Sequence, residues 1–236
     1  FLAGNLTLFA AFVYLVLLRW EVEVGRARVL LVNEQRLPAG QLPRSIYDLG
    51  TDRWPANRVG VALPLFGTSA SHAAALAAAL GQDRALAYYQ RLVDRGVRVV
   101  GGNSVVRDLV ASGALWVGLT DTDDACGAKL RGKPVRLVFP DQAAGELGTL
   151  LIFGTVAVVA GAPHPSEAAR LVDYLASRDT EQALLAGGWA QVPLRADLPP
   201  PDCLQGQEVR HMDVTPTAML RELEPMQQQL RTMFLR

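Results

Sequence analysis

The sequence predicts an α/β fold: a parallel or mixed sheet with helices on its faces. Three observations predict it. Half of the 236 residues are hydrophobic and only 19% are charged, the balance of a well-buried globular chain rather than a disordered one. From residue 97 onward, the β-branched runs "VRVV", "ALWVGL" and "VRLVFP" alternate with the helix-compatible runs "VVRDLVASG" and "ACGAKLRG", a pattern that lays strands side by side beneath helices. The links "FGTSAS", "GGNS" and "TDTDD" that lead into helices are rich in glycine, hydroxyls and carboxylates. In such sheets, ligands sit where strands end and helices begin.

The elements follow in order. Residues 1–18 are apolar apart from Gly4, Asn5 and Thr7. As a helix they reach about 27 Å, close to the roughly 30 Å of a hydrocarbon core. They are expected to form a membrane anchor or an uncleaved signal segment, with a buried helix as the alternative. No basic n-region or A-x-A site accompanies them. Because the chain opens on Phe1, it reads as a fragment or a processed product. "ARVLLVN" predicts a buried strand. "RSIYDLGTDRW" predicts a short helix ending near Gly50, and "RVGVALP" a strand stopped by Pro64. "SASHAAALAAALG" predicts a helix capped by Ser69 or Ser71 and ended by Gly81. "DRALAYYQRLVDRG" predicts a second helix, with Asp83 as its N-cap and Gly96 as its stop.

The repeating strand–helix unit comes next, with "TDTDD" as a turn. "TLLIFGTVAVVA" predicts a strand, "HPSEAARLVDYLAS" an amphipathic helix with Pro165 in its first turn, and "DTEQALLAGG" a further helix. "WAQVPLR" reads as extended, and "TAMLRELEPMQQQLRTMFLR" as a closing helix bent or broken near Pro225. This divides the chain into a hydrophobic segment at 1–24, an α/β region at 25–195, and a Pro-rich linker with its helix at 196–236.

Charge and cysteine usage exclude some functions. Lys+Arg and Asp+Glu balance at 23 each, and no local basic stripe offers a nucleic-acid surface. Cys126 and Cys203 lack a CxxC spacing and a histidine partner, which argues against zinc. Whether they pair in an oxidising compartment stays open.

The candidate ligand-binding residues cluster at strand ends. Thr68, Ser69 and Ser71 precede or begin a helix, where free N–H groups and hydroxyls suit an anion; ordinary capping is the alternative. Asn103 and Ser104 stand at another helix start, after glycines that let a ligand approach closely. Thr120, Asp121, Thr122, Asp123 and Asp124 crowd carboxylates that repel unless a cation or hydrogen-bond donors offset them. Asp121 is also a candidate helix cap. His72 reads as a partly buried helix residue rather than a ligand. Asp141 and Gln142 face either a cleft or a surface turn.

The runs "RVGVALPLFGTSASHAAALAAALG", "GVRVVGGNSVVRDLVASGALWVGLTDTDDA", "GKPVRLVFPDQ", "GTLLIFGTVAVVAGAPHPSEAARLVDYLAS" and "QVPLR" together resemble the solute-binding proteins of bacterial ABC importers. The likeness is to the iron(III)-type, family 1 branch with the type II periplasmic-binding-protein fold, and it covers roughly residues 25–195. It implies an α/β lobe with hinge strands and C-terminal helices, with "RARVLLVN" as the first hinge crossing and the family's first lobe outside this chain. It implies reversible binding of a small solute or metal–anion complex, delivery to a membrane permease, a periplasmic or extracytoplasmic location, and no resident cofactor. Asn103 is carried over as an anion contact. Where iron-binding relatives have adjacent tyrosines, this chain has Asp123 and Asp124, which suit a hard cation or a hydroxylated or cationic ligand. Tyr88 and Tyr89 lie mid-helix in a different unit and do not replace that pair. A metal-assisted hydrolase built on Asp121, Asp123 and Asp124, or a non-binding remnant, are the alternatives.

Overall fold

The structure, a computed structural model, describes residues 19–188, 192–204 and 209–235. The anchor or signal segment expected at 1–18 lies outside the described residues, as does part of the extended "WAQVPLR" run. Among the described residues, no helix is long and apolar enough to cross a membrane. The chain forms two compact units. The larger comprises Ala27–Ile152 and the described residues from Asp202 on; the smaller comprises the described residues before Ala27 together with those of Phe153–Pro201.

The sheet contains β1 (Arg19–Asn33), β2 (Val59–Ala62), β3 (Arg98–Val100), β4 (Val117–Asp121), β5 (Val135–Val138) and β6 (Leu151–Val158). The strand order is β3-β2-β4-β1-β5, with β6 also paired to β1. β2 runs parallel to β3 and β4, whereas β1 is antiparallel to β4 and β5. The sheet is therefore mixed. Residues 27–33 of β1 are all buried, as befits a strand with neighbours on both edges. β1 begins eight residues before the predicted "ARVLLVN" run. The alternation in "RWEVEV" is a period-2 signal, which the preceding apolar run obscures.

Four helices lie in the larger unit's first span: α1 (Gly67–Leu80), α2 (Gln82–Arg95), α3 (Asn103–Ala111) and α4 (Thr122–Leu130). α5 (Pro165–Leu175) and α6 (Arg178–Ala186) belong to the smaller unit, and α7 (Pro216–Phe234) closes the larger. α1 is buried on most of its surface because it packs against both α2 and α7. Its many alanines permit that close approach. In the smaller unit, buried Glu181 accepts the backbone N–H groups of Leu194 and Arg195 at 2.6 and 3.2 Å, fixing the "PLR" segment to α6.

Several local expectations need correction. α1 starts at Gly67 after Phe66, so Ser69 and Ser71 lie inside it and cap nothing. Ser71 instead donates back to the Gly67 carbonyl at 3.2 Å. Gly81 rather than Asp83 precedes α2; its φ of 86° allows the reversal between two helices, which few other residues tolerate. "TDTDD" is not a turn: β4 ends at Asp121 and α4 begins at Thr122. α7 is unbroken at Pro225. An interior proline costs roughly 3 kcal/mol, but the burial of Met226 and Leu230 holds the helix together.

The open cysteine question is answered: Cys126 of α4 and Cys203, in a 3-10 turn at Asp202–Leu204, form a disulfide across 77 positions. Both lie in the larger unit, and the bond ties its C-terminal portion to the sheet-side helices. Reduction is expected to lower stability by about 2–4 kcal/mol. Urea unfolding with and without dithiothreitol measures this; coincident curves would remove the bond from the stability of the fold.

Candidate functional site

Parallel β3, β2 and β4 lie side by side, and each leads into a helix. The starts of α1, α3 and α4 therefore line one edge of the sheet. None of the three is capped by a side chain at its N-cap residue: Phe66, Gly102 and Asp121 all lack a capping hydrogen bond. Their first backbone N–H groups and the positive ends of the helix dipoles converge on that edge.

Beneath it lies a buried charge. Arg28 on β1 is 2% exposed and Asp121 at the end of β4 is 3% exposed. The Arg28 Nη1 donates to Asp121 Oδ1 at 2.6 Å, to Asn103 Oδ1 at 3.0 Å and to Thr68 Oγ1 at 3.3 Å. The other Asp121 oxygen, Oδ2, accepts from Thr68 Oγ1 at 2.6 Å and from Asn103 Nδ2 at 3.0 Å. Asn103 Nδ2 also reaches Thr68 Oγ1 at 2.8 Å. Four side chains from β1, α1, α3 and β4 thus form one closed network, and Asp121 serves as its central acceptor. The interior amplifies both the attraction of such a pair and the cost of burying it.

The expected site residues divide around this network. Thr68, Asn103 and Asp121 are within it, and Ser69 approaches its edge, with Oγ at 3.4 Å from Asn103 Oδ1. Ser104 is exposed at the start of α3. Thr120 and Thr122 are fully buried and used internally. Thr120 donates to the Asn103 carbonyl and to Asp124, each at 3.2 Å. Thr122 Oγ1 accepts from the Ala27 N–H at 3.1 Å. Both hydroxyls are thus engaged within the chain. Ser71 lies a turn along α1, bonded to its own helix.

Asp124 is held by Arg107 Nη1 at 2.8 Å. Its carboxyl is raised above the usual range, chiefly by desolvation and then by the neighbouring Asp123 charge. Among the described residues, no group of three or more His, Cys, Asp or Glu side chains is arranged to hold a metal ion. As consecutive residues of α4, Asp123 and Asp124 project about 100° apart. Asp141 and Gln142 brace the loop that follows β5. The Asp141 Oδ2 accepts the Ile46 N–H at 3.3 Å, and Gln142 donates to Pro140, Thr149 and Arg210.

The residue that sequence reading missed is Arg28. Its signal was present: a guanidinium inside the run read as a buried strand requires a partner, although spacing does not say which carboxylate supplies it. His72 is buried in α1, and desolvation, followed by the Arg28 charge, lowers its pKa to about 3.

Comparison with known proteins agrees with this architecture. A family model described as bacterial extracellular solute-binding protein matches residues 28–208. The major ferric iron-binding protein of Neisseria meningitidis is 28% identical over 172 residues, 71% of this chain and 50% of that protein. A Salmonella typhi periplasmic protein assigned to 2-aminoethylphosphonate binding is 25% identical over 121 residues, 51% of this chain and 36% of that protein. The chain thus spans about half the length, or less, of these curated relatives. Among solved structures, the ferric binding protein from Campylobacter jejuni superposes with a TM-score of 0.78 at 14% identity, covering 91% of this chain and 70% of that one. Iron-bound HitA from Pseudomonas aeruginosa superposes with a TM-score of 0.74 at 22% identity, covering 89% and 69%. These likenesses establish the type II periplasmic-binding-protein fold.

Two outcomes follow from the buried network. Asp121→Ala strands the Arg28 charge and is expected to cost about 3–5 kcal/mol, whereas the joint change of Arg28→Met and Asp121→Leu recovers most of that. A double-mutant cycle by urea unfolding checks it; additive losses would dissolve the pair. The second concerns pH. Below about pH 6.5 the unfolded chain protonates His72 while the folded chain, with its pKa near 3, does not. The stability this group contributes is present above pH 6.5 and is lost as pH falls towards 3. Among the described residues His72 Nδ1 has no hydrogen-bond partner, so His72→Leu breaks no bond at that atom. It is expected to preserve stability at neutral pH and to flatten the acid slope by about 1.4 kcal/mol per pH unit. Unfolding curves from pH 7 to 4 decide, and an unchanged slope refutes the assignment.

Proposed function

The chain belongs to the bacterial extracellular solute-binding proteins, and from that premise we propose that it provides the solute-contacting lobe of an ABC importer's binding component. The protein captures a small oxyanion, free or as the anion of a metal complex, outside the cytoplasm and delivers it to a membrane permease. The observation that carries this reading is the pair of uncapped helix starts at Gly67 and Asn103, brought together by the 2.8 Å bond between Asn103 and Thr68. N–H groups at two dipole ends without a cap from the N-cap side chain, with the exposed Ser104 at the start of one of them, suit oxygen ligands that carry negative charge. The 2-aminoethylphosphonate named for one relative is an oxyanion of this kind. The Cys126–Cys203 disulfide suits an oxidising compartment.

Binding of this kind requires no bond to be made or broken, and affinity rests on hydrogen bonds and charge. The geometry does not favour the hydrolase alternative. Two of its three carboxylates are committed, Asp121 to Arg28 and Asp124 to Arg107, and the family consists of binding proteins.

The test is a thermal-shift series with inorganic phosphate, 2-aminoethylphosphonate and ferric citrate. An oxyanion that binds is expected to stabilise the protein by about 2.7 kcal/mol at a hundredfold excess over Kd. Ser104→Asp places a carboxylate in the first turn of α3. It is expected to keep the fold, since an acidic side chain favours that position, and to abolish the ligand shift. Silence toward every oxyanion, or an undiminished shift in this variant, would sink the proposal.

A further inference from the structure

The opposite edge of the sheet, where the parallel strands begin, carries a cavity. Residues 52–56 lead through a 3-10 turn at Ala56–Arg58 into β2, and Arg95 ends α2 just before β3. Because β2 and β3 run parallel, these two segments meet at the edge away from the starts of α1 and α3. The cavity has a volume of about 400 Å³ and is lined by Asp52, Arg53, Trp54, Pro55, Ala56 and Arg95, all in the larger unit. That volume is in the range of small-molecule sites. Two donors among its lining residues are unused. Trp54 is 3% exposed, and its indole Nε1 has no hydrogen-bond partner among the described residues. Arg95 is anchored by its outer nitrogens: Nη1 donates to the Leu49 carbonyl at 2.8 Å and Nη2 to the Trp54 carbonyl. Its Nε is buried and also lacks a hydrogen-bond partner among the described residues. An Asp52 oxygen stands 3.6 Å from that Nε, beyond hydrogen-bonding reach, on a fully exposed side chain. A buried donor without an acceptor is costly, and native folds hold few of them; here two flank one cavity.

We propose that this cavity is a second binding site, which takes a small carboxylic acid with an apolar body through the Trp54 Nε1 and Arg95 Nε donors. A carboxylate has two oxygens, one for each idle N–H, and the guanidinium strengthens its bond by charge. Two guanidinium groups and one carboxylate line the cavity, so one positive charge is left for a monoanion to offset. Pro55, Ala56 and the Trp54 ring supply an apolar wall for the rest of the molecule. The side chains that shield the donors are exposed. Asp52 makes the long contact to Arg95, while Arg53 lies 5.0 Å from the Trp54 ring centre and 3.6 Å from Asp48. Exposed ion pairs of this kind contribute little, so an entering acid displaces them readily. Asp52 leans toward Arg95 as the ligand's carboxylate would, but stops short of bonding. The site is independent of the oxyanion reading above.

The experiment is a proton–nitrogen NMR titration of the full chain with sodium benzoate, and with benzamide as an uncharged probe of the same shape. Trp54→Phe identifies the Trp54 indole signal by its loss. It also removes the donor, keeps an apolar ring and breaks no hydrogen bond at Nε1. Benzoate is expected to move that indole signal saturably, and benzamide to bind at least about tenfold more weakly. Trp54→Phe is expected to weaken benzoate binding by about tenfold, read from the backbone signals of residues 52–56. Asp52→Asn, at a fully exposed position, is expected to tighten it by about fivefold, the effect of one like charge some 4 Å away in water. The proposal is overturned if benzoate leaves the indole signal in place, if benzamide binds as tightly, if Trp54→Phe retains full affinity, or if Asp52→Asn lowers it. Should Trp54→Phe fail to fold, the two probes on wild type and the Asp52→Asn titration still decide.

Discussion

The contact between Arg28 and Asp121 is the constraint around which the larger unit is arranged. Each ion loses most of its hydration on burial, a cost of several kcal/mol per ion that the pair recovers only with well-formed hydrogen bonds to its remaining atoms. Those bonds come from Thr68 and Asn103, residues at the first turns of two different helices. The network therefore fixes the heights of α1 and α3 on the sheet and the end of β4, all relative to β1. A shift of any of these elements by an ångström would strand a buried charge. Few apolar contacts impose so sharp a penalty, because hydrophobic packing degrades gradually while an unpaired ion does not.

The sheet topology makes the arrangement possible. β1 lies between β4 and β5 and runs antiparallel to both. Arg28 on β1 is in register with Asp121 on β4, so the guanidinium rises at the end where the parallel strands release their helices. In an all-parallel sheet, every strand would end at that edge with a helix to follow. An antiparallel strand instead passes through it and supplies a side chain from within. The close fit beneath α3 is reinforced by Gly118, where an added Cβ would come within 2.4 Å of a Val106 methyl. That side-chain-free position lets α3 settle onto β4 and carry Asn103 to Thr68.

Much of the fold was legible because its signals are local. The apolar runs at β2, β4 and β5, the alanine helix ended by Gly81, and the αL stop at Gly96 follow from side-chain type and φ preference alone. The α/β class followed from their alternation. What was not legible depended on tertiary partners. The start of β1 was hidden by a longer apolar run before it. Ser69 and Ser71 carry a capping signal, yet tertiary packing lets α1 begin earlier. Pro225 carries a breaking signal, yet the burial of Met226 and Leu230 overrides it. At the candidate site, residue types and positions were readable for Thr68 and Asn103, but their purpose was not. Sequence spacing placed carboxylates at a strand end and suggested a ligand for them. It could not show that Arg28, 93 positions away from Asp121, had already taken that role.

This reframes what crowding Asp121, Asp123 and Asp124 accomplishes. Acidic residues at a helix start are favourable in themselves through the dipole, and here that term adds to specific pairings: Asp121 with Arg28 below, Asp124 with Arg107 of α3 beside it. The first pair meets α3 at Asn103 and the second includes its Arg107, so the helix is held along its first turns with no side-chain cap from Gly102. A conventional side-chain cap would hold the helix as well but would occupy its first N–H groups. Holding the helix from its flanks secures its position without such a cap. Asp121 and Asp124 thus serve to position the helices, whose starts carry no cap from their own N-cap side chains.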